Sequence, residues 1–64
     1  MNKEEIQSIF DQLKNGEIDK LEVAKQDFMA FRSVLVERED FKHFRGTAHI
    51  GGGVTYHYLE EPRS

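Results

Sequence analysis

The chain has 64 residues, room for one small domain, and such a domain buries only about 60% of the surface its unfolded form exposes. It contains no cysteine, which excludes disulfides and thiolate zinc sites, and its net charge of −3 argues against a general polyanion binder. Stability must then come from close packing or from burial against another chain, so self-association is an expectation from size alone.

The first helix is written over residues 3–14. Ile6, Ile9, Phe10 and Leu13 recur on one helical face. Asn2 is an N-cap with Glu5 three residues later, as in a capping box, and Met1 and Ile6 take the positions of a hydrophobic staple. Asn15-Gly16 ends the helix, because glycine accepts the left-handed conformation a C-cap needs.

Residues 17–24 fit two patterns. Leu21 and Val23 alternate with Lys20 and Glu22, as in a short strand. Leu21, Ala24, Phe28, Phe31 and Leu35 also fall at helical spacing, with Asp19 and Glu22 placed as a second capping box. The strand is favoured because a lone hairpin is marginal in water and a third strand stabilises it.

A second helix is expected from about 25 to 37, with Phe28, Phe31 and Leu35 inward and Val34 widening the stripe. Phe41 and Phe44 resume the apolar pattern in one further turn. Residues 45–50 and 54–59 then read as a hairpin around a loop of Gly51-Gly52-Gly53. In that register Ile50 faces Val54, Ala48 faces Tyr56 and Gly46 faces Tyr58, all apolar or small. The opposite face carries His49, Thr55, Thr47, His57, Arg45 and Leu59. Residues 60–64 read as a frayed tail, with Pro62 ending any strand.

The expected fold is α+β, a single domain over residues 1–64 in the order α-β-α-β-β. Two helices pack on one face of a three-stranded sheet that ends in a glycine-loop hairpin. The alternative is two helices plus a hairpin. No apolar run approaches the roughly 20 residues of a membrane span, and the polar start has no signal-peptide pattern, so a cytoplasmic protein without membrane contact is expected.

Signals for chemistry are few. His49 and His57 would be diagonal neighbours on the polar face, but a stable metal site takes three or four ligands and that face adds only Glu60. Solvated imidazoles are the simpler reading, and no metal is expected. The triple glycine lacks the Lys and Ser/Thr of a phosphate loop. The carboxylates lie on polar helix faces or at helix ends, and no serine sits in a nucleophile elbow. No enzyme and no cofactor are expected.

The remaining feature is a charge asymmetry. Ten of the twelve acids fall in residues 1–40, and residues 41–59 hold none. That stretch interleaves Lys42, Arg45 and three histidines with Phe41, Phe44, Tyr56 and Tyr58. The expectation is a non-enzymatic interaction or regulatory module acting through protein–protein contact, with a homodimer as one form. Its candidate surface is Phe41, Lys42, Phe44, Arg45, His49 and His57. The alternative is a weak nucleic-acid binder using the segment 41–58, in which basic groups hold phosphates and rings stack on bases.

Overall fold

The computed structural model describes residues 2–62. Its elements follow the order helix α1 (Lys3–Lys14), strand β1 (Leu21–Val23), helix α2 (Lys25–Leu35), a 3-10 turn (Phe41–His43), and strands β2 (Phe44–Ala48) and β3 (Val54–Tyr58). The α+β order expected from the sequence is the one found.

Both ends of α1 are closed as the sequence implies. Asn2 Oδ1 accepts from the Glu5 amide at 2.8 Å. The Glu17 amide reaches back to the Gln12 carbonyl and the Gly16 amide to Leu13, with Gly16 at φ +79°, which is a Schellman closure. The staple proposed for Met1 lies outside the described residues.

The ambiguous segment is a strand. Leu21, Glu22 and Val23 pair antiparallel with Tyr56, Thr55 and Val54 of β3. The central strand is therefore the last one in sequence, and the sheet order is β1-β3-β2. Extended pairing with β3 takes 21–23 out of any helix, and α2 begins at Lys25 with Ala24 at its N-cap, so the second capping box is not used.

Helix α2 stops at Leu35, two residues before the expected end. The amides of Glu37 and Arg38 turn back to the carbonyls of Val34 and Leu35, tightening the chain into three-residue turns. This swings Arg38 under α1. Its guanidinium donates to Asp40 Oδ1 and Oδ2 (2.8 and 3.1 Å) and to Asp11 Oδ1 (2.8 Å), and it lies over the rings of Phe10 and Phe44. The hydrogen bond from Arg38 holds the Asp40 carboxyl below its usual range, and the same bond raises the Arg38 guanidinium above its own.

The hairpin register corrects the expectation by two positions. Phe44 faces Tyr58, Gly46 faces Tyr56 and Ala48 faces Val54. The connection is Ile50-Gly51-Gly52, closed by the His49 amide on the Gly53 carbonyl at 2.8 Å. Gly51 and Gly52 take φ +102° and +99°, so the two glycines that turn the chain are the first two of the three. Ile50 is thereby expelled into solvent, 106% exposed, instead of facing Val54. What the shift achieves is packing. A Cβ on Gly46 would stand 3.0 Å from the Tyr56 ring, a tight contact that the glycine avoids. Phe44 also enters the sheet and meets Tyr58 edge to face at 5.2 Å. A slip of two residues keeps every side chain on its face, so the division into an apolar and a polar side is as expected.

The core lies between the helices and the apolar face. Phe10 is fully buried at its centre, with edge contacts to Phe31, Phe44 and Tyr56 at centroid distances of 5.2 to 5.9 Å. Ile6, Leu13, Val23, Val34, Leu35 and Val54 complete it. Both helices pack toward this face, but their cover ends before the far half of β2, where Gly46 and Ala48 remain exposed. Among the described residues no helix is long and apolar enough to cross a membrane.

Candidate interaction groove

The incomplete cover leaves a groove of about 330 Å³ between α2 and β2. Phe28, Val36 and Phe41 form its walls, and Gly46 and Ala48 its floor. Arg32 is the one charged residue that lines it. At its base, burial pushes the Tyr56 phenol above its usual value, and the charge of Arg32 opposes that shift.

Strand β2 is an edge, since it pairs only with β3. The His49–Gly53 and His43–Leu59 bonds fix which residues form the hydrogen-bonded pairs with β3. By alternation, residues 45 and 47 bond to β3, whereas Phe44, Gly46 and Ala48 turn their backbone groups outward. The Phe44 amide is taken by Phe41 in the preceding turn. The outward groups of Gly46 and Ala48 thus lie directly beside the groove, an arrangement that can receive another strand.

The six residues singled out from sequence do not form one surface. Phe41 is half-buried and lines the groove. Phe44 is 1% exposed, locked between Phe10 and Tyr58, and belongs to the core. Arg45 and His57 face each other across β2 and β3 on the opposite, open face of the sheet. His49 sits at the loop, sharing a hydrogen bond with Thr55 Oγ1, and is no longer the diagonal neighbour of His57. Lys42 is exposed in the 3-10 turn. His43 stacks on Tyr58 and donates from Nδ1 to the Leu59 carbonyl. The rings of the acid-free segment point to the helix side and its Arg45 and His57 to the open side. The interleaving seen in sequence is therefore split by the pleat.

Val36, Arg32 and Ala48 are groove residues that sequence reasoning passed over. The available signal was a pair of small residues, Gly46 and Ala48, on the apolar face of a strand: such a pair leaves a hollow unless a helix fills it. Among the described residues no group of three or more His, Asp or Glu side chains is placed to hold a metal ion.

No curated protein and no solved structure matches the chain. The model of the YkzS-like protein family matches residues 3–57, a span from the start of α1 almost to the end of β3 that includes the groove and both strands of the hairpin. The chain belongs to the YkzS-like protein family.

Proposed function

We propose that this protein is a non-enzymatic interaction module that binds a protein partner by adding an extended segment to the free edge of β2. The observation that carries the reading is the outward backbone of Gly46 and Ala48 beside an exposed apolar groove. In strand addition the main-chain bonds supply affinity and adjoining hollows select alternate side chains. The lining also supports binding rather than catalysis, since it consists of apolar and small residues, one arginine and a tyrosine. The same reading takes the module to be cytoplasmic. A second copy of the chain is one form the partner can take.

The test blocks the edge without touching the sheet. Because the Ala48 amide points away from β3, Ala48→Pro removes no ladder bond and closes the edge to a new strand. Val36→Asp, in the groove wall, is the independent variant. Amide spectra recorded with a panel of extended peptides should shift at Gly46 and Ala48 in the wild type, and the Gly46 amide should stay unmoved in both variants. Light scattering across protein concentration reads whether a second copy takes the place instead. Peptide shifts that survive both substitutions, or a monomer whose β2 amides respond to no peptide, overturn the reading.

A further inference from the structure

We infer that the segment received by β2 is one in which apolar residues alternate with carboxylates; this rests on the strand-addition reading and specifies its partner. The inference comes from a charge on the free edge strand that has no counter-ion. Lys3, Lys14, Lys20 and Arg38 each have a carboxylate within 4 Å, on Glu37, Asp40, Glu22, and both Asp11 and Asp40. Lys25, Arg32 and Arg45 take part in no ion pair among the described residues, and of these Arg45 is the one that lies on β2. Nor does any acid occur between residues 41 and 59, so neither hairpin strand supplies one.

The pleat fixes what an incoming strand presents. Residues set opposite Gly46 and Ala48 share the helix side and enter the groove among Phe28, Val36 and Phe41. A residue set opposite Arg45 shares the open face, where Arg45 has only His57 as its cross-strand neighbour. In an apolar–acid–apolar–acid segment set opposite Ala48, Thr47, Gly46 and Arg45, the apolar positions therefore fill the hollow and the last acid meets the guanidinium. The sheet already holds one strand of that pattern on its other edge. In β1, Leu21 and Val23 face Tyr56 and Val54 on the core side, and Glu22 lies opposite Thr55 on the open face.

The experiment titrates the full chain with acetyl-Val-Glu-Val-Glu-Val-amide and with acetyl-Val-Lys-Val-Lys-Val-amide, following amide shifts at low salt. The expected result is shifts centred on Gly46 and Ala48, with the glutamate peptide binding at least about 3-fold tighter than the lysine peptide, as one favourable cross-strand charge pair implies. Arg45→Glu, an exposed substitution, should reverse that order, and added salt should narrow it. Equal binding of both peptides at β2 overturns the acidic partner and leaves strand addition standing. Shifts from neither peptide, or shifts away from β2, overturn both. Binding of an oligonucleotide at Arg45 and His57, unaffected by Ala48→Pro, would place the partner in another class and likewise overturn the inference.

Discussion

Replacing Arg38 with methionine keeps an unbranched stem against Phe10 and Phe44 and deletes the charge that joins α1 to the turn after α2. The Arg38 side chain is 13% exposed and Asp40 17%, so their two-point contact is largely shielded from water. A hydrogen bond to a charged group contributes about 1.5–3 kcal/mol, and the contact to Asp11, whose side chain is 58% exposed, adds little. The expected loss is about 2 kcal/mol near neutral pH, or roughly 10–15 °C in Tm for a domain of this size. The pH dependence has a definite sign. Asp40 has a folded value below its unfolded one, so its contribution is complete above the ordinary carboxylate range, about pH 4, and is lost as the pH falls through the folded value. Thermal melts followed by circular dichroism at pH 7 and at pH 2 should show a wide gap between wild type and Arg38→Met at the first and a narrower one at the second. A gap under about 3 °C at pH 7, or one equally wide at both, would refute the role given to the ion pair.

Other substitutions separate the remaining devices of the fold. Gly46→Ala sets a Cβ 3.0 Å from the Tyr56 ring and 3.4 Å from Val54, and should cost about 1–2 kcal/mol in urea unfolding despite alanine's better backbone propensity. Gly51→Ala meets no atom within 4 Å but forces φ +102° on a residue with a Cβ, so it should destabilise by about 1 kcal/mol or more, whereas Gly53→Ala should cost less; equal losses at the two positions would contradict the observed turn. Asn2→Ala removes the cap on the Glu5 amide and should cost about 1 kcal/mol, read in the same assay.

Local signals carried most of the fold. The α1 caps and stripe are complete within a dozen residues, and both ends fall where the pattern puts them. The hairpin's faces were legible from alternation alone, but its register was not. A shift by two positions preserves every face and sets a tyrosine opposite Gly46 either way; the observed register also brings Phe44 opposite Tyr58, a matter of shape rather than polarity. The end of α2 was missed for a related reason: Arg38 finds Asp11 across the fold, and no local pattern announces that partner. For the candidate surface, composition singled out one segment, and the fold divides its residues between two faces. Phe44 and Arg45 are neighbours in sequence, yet one is in the core and the other faces water, because successive strand residues point to opposite sides.

Placing the last strand in the middle of the sheet has a kinetic consequence. Neither β1 nor β2 has a ladder partner until β3 arrives, so a growing chain can form its helices early but cannot close any part of the sheet before Val54–Tyr58 emerges. During that interval the apolar side of β2 has no sheet to join, and the step that finally hides Phe44 and Tyr56 unites segments from both ends of the chain in one event.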